Sequence, residues 1–191
     1  MRASRPDWAG RTVVCIASGP SLTAADCEAA RGHPAIVTNS SFRLAPWADI
    51  LFGHDSRWWK AHIEEVKASG FAGRLLTASP VGGNLGLETT HHAHWLRSYP
   101  NSGAAAIGIA VAAGASKVVL LGFDCGFTGG RKHWHADHPA GMTNCQSIGA
   151  WPKHFGNVAK DAAKAGVKVL NASRETALRC FPRCDLGAAF D

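Results

Sequence analysis

"TVVCIASGPSLT", residues 12–23, is the stretch whose reading decides the fold. Residues 12–17 form a short apolar run rich in β-branched side chains, apolar at consecutive positions rather than alternating ones. Such a run suits a strand buried on both faces. It breaks at Ser18-Gly19-Pro20-Ser21, and helical sequence follows over residues 23–30. A buried strand feeding straight into a helix is the first half of a β-α-β unit, which closes only when a second parallel strand follows.

The pattern repeats outward from there. Residues 34–38, 49–53, 74–77, 117–122 and 167–170 read as further strands, with "KVVLLG" the clearest. Over residues 56–69, Trp58, Trp59, His62, Ile63 and Val66 fall at helical spacing. Residues 102–114 are Ala- and Gly-rich, as suits a helix lying close on a sheet, and residues 151–165 are again helical. Residues 82–99 give no clear assignment, and the C-terminal segment reads as a cap. The alternation predicts an α/β fold: one Rossmann-like domain over residues 1–191, its sheet mostly parallel, with helices on both faces. A histidine-rich loop is expected at about residues 125–150.

Composition narrows the function classes. A chain of 191 residues can bury one proper core but not two ordinary ones. It is 46% hydrophobic and 18% charged, and no run of 18 apolar residues occurs, so no membrane-spanning helix is expected. The opening residues lack an apolar signal-peptide core, which points to a cytoplasmic protein. The formal charge of +6 favours anionic ligands, nucleotides or nucleic acid, without any dense Lys/Arg run to mark a patch. Six scattered cysteines, with no Cys-x-x-Cys, predict free buried thiols rather than a disulfide framework.

In a parallel sheet, ligands gather at the carboxyl ends of the strands, and the residues there define the candidate site. Gly19, Pro20 and Ser21 follow the first strand, where a helix start can cradle a phosphate; a plain strand-to-helix turn is the alternative. Asn39 follows the second strand, with an amide suited to a base edge or ribose, or to a turn. Asp55, next to His54, follows the third and can serve as ligand contact or helix N-cap. Asn101, Ser102 and Gly103 open the Ala-rich helix, and Asp124 ends the strongest strand.

"KHWHADH", residues 132–138, places His133, His135 and His138 around Asp137. The spacing matches the first motif of two-zinc hydrolases. Such a site also needs a strand directly before the motif and further ligands well downstream. Here "TGGRK" precedes it, and only His154 and scattered carboxylates follow. Three readings stay open. A histidine can be a catalytic base over the site, since imidazole titrates near neutral pH. His133, His135, Asp137 and His138 can hold one divalent ion, magnesium, manganese or zinc. Or the cluster is structural, with Trp134 buried.

The order Gly-Pro-Ser-Leu, Asn39, Ser-Gly opening an Ala-rich helix, then "GFD" resembles the bacterial sialyltransferases of glycosyltransferase family 42 and the related DUF115 proteins. Phage and prophage proteins with a "GG..HWH.DHP" segment look closer still. The resemblance runs from Val13 to about Pro182, including the "VKVLNAS" and "ALRCFP" segments. It implies a nucleotide-activated donor, a CMP-sugar in that family, with Gly19, Pro20 and Ser21 by its phosphate. It further implies Asn39 on the nucleotide or sugar, and Ser102 and Gly103 on the donor. The family's base is a histidine after its "GID"-like strand, so His133, His135, His138 or His154 would take that part here. The chain departs from the family's tyrosine-bearing segment, since Tyr99 is its only tyrosine.

The reading that follows is a glycosyltransferase acting from a nucleotide sugar on an acceptor hydroxyl of a glycan or a phage-type modified DNA base. It requires no cofactor, with a divalent metal as an optional addition. Two other readings remain: metal-dependent phosphoryl or pyrophosphoryl transfer or hydrolysis at the histidine cluster, and a non-catalytic nucleotide- or nucleic-acid-binding module.

Overall fold

The computed structural model describes residues 1–136 and 148–191. Seven strands form one sheet: β1 (Thr12–Ile16), β2 (Ala35–Thr38), β3 (Ile50–Gly53), β4 (Arg74–Thr77), β5 (Glu88–Thr89), β6 (Lys117–Leu121) and β7 (Lys168–Asn171). Their order across the sheet is β5-β4-β3-β2-β1-β6-β7, and every pairing is parallel. The chain therefore works outward from β1 to β5, then crosses back to lay β6 on the other side of β1. The switch point falls between β1 and β6.

Helices cover both faces, as the unbroken apolar strands require. Val14 and Ile16 of β1 face a core shared with α1 (Ala24–Ala29) and α2 (Ser56–Ala68). Val13 and Cys15 face a second core under α3 (Ser102–Ala112) and α5 (Gly156–Lys164). The period-2 alternation of a strand sends neighbours to opposite layers, and here both layers are apolar.

Three local features depart from expectation. The helix anticipated over residues 151–165 is interrupted at Phe155, giving α4 (Trp151–His154) before α5. At that break the Phe155 ring is buried edge-on against Phe123, with centroids 5.9 Å apart. The unassigned region holds a 3-10 turn, Pro80–Leu85, and β5, whose two residues carry no readable periodicity. What holds that edge is long-range: Arg74 on β4 donates to the Glu88 carboxylate on β5, with Nε at 2.8 Å. The described cysteines are free, but only Cys15 and Cys27 are buried; Cys125 and Cys184 are half-buried and Cys180 is exposed.

Candidate functional site

A cavity of about 400 Å³ opens at the carboxyl edge of the sheet. Its walls come from the loop after β1 (Ser18, Gly19, Pro20), the ends of β2 and β3 (Thr38, Asn39, His54, Asp55) and the start of α3 (Asn101, Ser102, Gly103). The loop after β6 (Phe123, Cys125, Lys132, His133) and α4 (Trp151, His154) complete it. Most of the residues singled out from sequence are thus neighbours in space, although they lie on separate strand ends. Asp55 is the one carboxylate among these described lining residues, against one lysine and three histidines, so the cavity favours anions.

The loop after β1 is held by the protein itself. Asp124, 2% exposed, accepts from the Ser21 backbone N–H (2.8 Å), the Ser21 hydroxyl (2.8 Å) and the Thr128 hydroxyl (3.1 Å). Burial raises the Asp124 carboxyl above its usual range, and these hydrogen bonds offset the shift only in part. Gly19 donates to the Gly122 carbonyl at 2.8 Å, extending the β1–β6 pairing past the strands. Ser41 donates to the Ala17 carbonyl, so the Ser18 hydroxyl is left to donate to Ser41 Oγ or the Thr38 carbonyl. Helix α1 starts in its own capping box between Thr23 and Asp26, and Asp26 also pairs with Arg174. Asp124 and Ser21 therefore form a clamp beneath the cavity. Gly19 and Pro20 reach its surface.

The start of α3 is arranged differently. Asn101 caps the helix by accepting from Ala104 N–H at 2.8 Å with Oδ1. Its Nδ2 is buried without a hydrogen-bond partner among the described residues. The first-turn N–H groups of Ser102 and Gly103 precede any intrahelical acceptor, and the helix dipole adds positive potential there. A side chain at Gly103 would press on the Phe123 ring at 3.0 Å, so the glycine lets the Phe123–Phe155 pair lie under this turn.

His54 sits beside it. Its backbone N–H donates to Ser102 Oγ at 3.1 Å, and its Nε2 lies 3.1 Å from the Tyr99 carbonyl. Asp55 proves to be the N-cap of α2, accepting from Arg57 N–H at 2.8 Å. Burial would raise its carboxyl. Hydrogen bonds from the Arg57 backbone and side chain outweigh that, with the charges of Arg57 and His54 adding, and hold it below the usual range.

Two walls carry backbone strain. Asn39 and Cys125 take φ of 50° and 48°, the left-handed region that side chains other than glycine seldom occupy. Asparagine tolerates it better than cysteine does. Strain of roughly 1–3 kcal/mol per residue persists where surroundings dictate the backbone, and such residues gather at functional sites. Trp58, which sequence assigns to the core, also lines the cavity, 4% exposed and with its indole N–H unpartnered among the described residues.

Of the histidine cluster, His133 lines the cavity. His135 lies behind it, the two rings stacked 4.9 Å apart, and its Nδ1 is bonded to the Ala136 carbonyl. Desolvation is the main cause that pushes the His135 imidazole down to about 4, so it is neutral at physiological pH. Half-buried Trp134 anchors the segment, its backbone N–H donating to the Ser18 carbonyl at 3.3 Å. Asp137 and His138 lie outside the described residues. Among the described residues no group of three His, Cys, Asp or Glu side chains is placed to hold a metal ion. His154, set apart from the cluster in sequence, lines the same cavity, its Nδ1 buried and unpartnered among the described residues. Sequence placed His54 at the end of the third strand and offered His154 as a candidate base, but the partners of His54 come from distant segments and are set only by the fold.

The sheet order and the cavity at its carboxyl edge define a Rossmann-like α/β domain. No protein-family model matches the chain, and no curated protein matches it in sequence. Among solved structures it is similar to the MAf glycosyltransferase from Magnetospirillum magneticum AMB-1, with a TM-score of 0.66 at 16% identity. The likeness covers 98% of this chain and 37% of that one, so the chain spans little more than a third of that protein's length. What the two share is the fold. No helix among the described residues is long and apolar enough to cross a membrane.

Proposed function

We propose that the chain is a glycosyltransferase domain that binds a nucleotide sugar in the 400 Å³ cavity and passes the sugar to an acceptor hydroxyl. The observation that carries this reading is the start of α3. A buried amide, a hydroxyl and two first-turn N–H groups converge there with no protein acceptor for the Asn101 Nδ2 among the described residues. A donor phosphate would supply that acceptor. The likeness in fold to a glycosyltransferase supports the same assignment.

In this reading Asn101, Ser102 and Gly103 hold the phosphate, while Asn39, Trp58 and the strained turn at Cys125 shape the room for base and sugar. The clamp of Asp124 on Ser21 acts indirectly, by holding Gly19 and Pro20 in place. An imidazole of the cavity takes the acceptor proton, and the α3 turn stabilises the charge that develops on the leaving phosphate. A CMP-linked donor is the form that the family-42 resemblance implies, with a glycan or a phage-type DNA base as acceptor.

A thermal-shift screen of metal-free protein against nucleotides, nucleotide sugars and divalent metals tests the proposal. A ligand selective for the native state at a hundredfold over its Kd adds about 2.7 kcal/mol of stability. Stabilisation by a nucleotide sugar, lost in Asn101→Asp, is expected. Stabilisation by zinc or manganese alone, with none by any nucleotide, would overturn it in favour of a metal site at the histidine cluster.

A further inference from the structure

We infer that His54 is the catalytic residue that takes the acceptor proton, an inference resting on the glycosyl-transfer reading above. A carbonyl oxygen cannot donate, so the 3.1 Å contact between His54 Nε2 and the Tyr99 carbonyl requires the proton on Nε2. The lone pair of the neutral ring is then on Nδ1. Among the described residues the hydrogen bonds of His54 are made by its backbone N–H and Nε2, and Nδ1 is not among the buried polar atoms left without a partner. His54 lines the cavity, and Nδ1 is the ring nitrogen left to accept from a ligand there. A fixed tautomer with an accessible acceptor is what a general base needs, and the group that fixes it is as much part of the site as the ring.

The anchor itself is rigid. The Tyr99 ring is buried against α3 at Gly108, where any Cβ would collide with it. The Tyr99 hydroxyl donates to the Asp161 carboxylate at 2.8 Å. On its other side His54 donates its backbone N–H to Ser102 Oγ, which leaves the Ser102 proton to be donated onward. Proton acceptor and phosphate-binding turn are thus parts of one hydrogen-bonded unit, and relative position is where much of the rate of a bimolecular transfer comes from.

The other imidazoles are less well placed. His135 is behind the wall with Nδ1 occupied, and the His154 Nδ1 is enclosed. His133 stacks on His135. In the step that follows, the acceptor O–H bond breaks as its oxygen bonds the anomeric carbon, and the proton passes to His54 Nδ1. The bond from the anomeric carbon to the phosphate oxygen breaks, and its electron pair leaves with the nucleotide.

The test combines three measurements on the same chain. Calorimetry with a CMP-linked and a UDP-linked sugar reads donor binding. Nucleotide release from the same sugars, with water and glycerol as acceptors, reads turnover. Long-range proton–nitrogen NMR reads the tautomer. His54→Gln keeps a donor for the Tyr99 carbonyl and should bind the donor within about twofold of wild type while kcat falls about 10²–10⁴-fold. Imidazole in the buffer should restore turnover to His54→Ala, and His94→Gln, at an exposed histidine outside the cavity, should retain its own. Donor binding with undiminished turnover in His54→Gln would overturn this inference and leave the glycosyl-transfer reading standing. So would a His54 ring protonated on Nδ1 alone. Failure of both sugars to bind wild type would overturn the reading and the inference together.

Discussion

Replacing Gly19 by alanine tests the clamp at the switch point. Gly19 has a backbone conformation open to other residues, so the effect is steric. A Cβ there would lie inside the Asp124 carboxylate and 2.5 Å from the Gly122 carbonyl oxygen. The carbonyl belongs to backbone that Gly19 itself pairs with, and cannot swing away. The carboxylate can retreat only by giving up bonds from Ser21 or Thr128. Overpacking a tight site costs about 1–3 kcal/mol, and a lost hydrogen bond to a charged group about 1.5–3 kcal/mol, so Gly19→Ala should cost about 3–5 kcal/mol. For a chain of this length that lowers Tm by about 10 °C. Urea unfolding should show a lower midpoint at unchanged slope. Gly156→Ala, at a helical position with open space around it, should instead be neutral or stabilising by up to about 1 kcal/mol. Because part of the clash is with the Asp124 side chain, Gly19→Ala should cost less in an Asp124→Ala background. Strict additivity of the two, or a Gly19→Ala protein melting with wild type, would refute the clamp.

Asn101→Asp keeps an Oδ acceptor for the Ala104 N–H, so stability should stay within about 1 kcal/mol of wild type, while the negative charge weakens nucleotide binding; calorimetry and melting separate the two. Gly108→Ala should lower stability by about 1–3 kcal/mol by displacing Tyr99, and should disturb the His54 ring signals in NMR. Asp26 gives a pH dependence. Burial would raise its carboxyl, but hydrogen bonds from Arg174 and Thr23 and the Arg174 charge hold it below the usual range. A depressed folded pKa contributes stability present above the unfolded value of about 3.9 and lost as pH falls through the folded one. Melting temperature should therefore fall on acidification below about pH 4, and Asp26→Asn should flatten that fall while lowering stability at neutral pH.

The clearest elements were legible because their signals are local. The run over residues 117–121 is apolar at every position after Lys117, short and β-branched, so it reads as a strand buried on both faces, and β6 is that strand. The stripe of Trp58, Trp59, His62, Ile63 and Val66 describes one helical face, and those residues are the buried side of α2. β5 was invisible because two residues have no period; its place depends on β4 and on the Arg74–Glu88 pair.

By itself, then, the amino-acid sequence determined the alternation of strands and helices, the burial of both sheet faces and the set of strand ends where polar residues wait. These follow from side-chain period and turn chemistry within a dozen residues. The tertiary structure alone decided what each of those polar residues does. Asp124 could have faced a ligand, but the parallel pairing of β1 with β6 brings it onto Ser21, 103 residues away. His54 is one histidine among ten in the sequence. Only the return of the chain through Tyr99 and Ser102 supplies the two hydrogen bonds that set its tautomer and its position. A site assembled from several strand ends depends on contacts between distant segments, and those are a property of the folded chain.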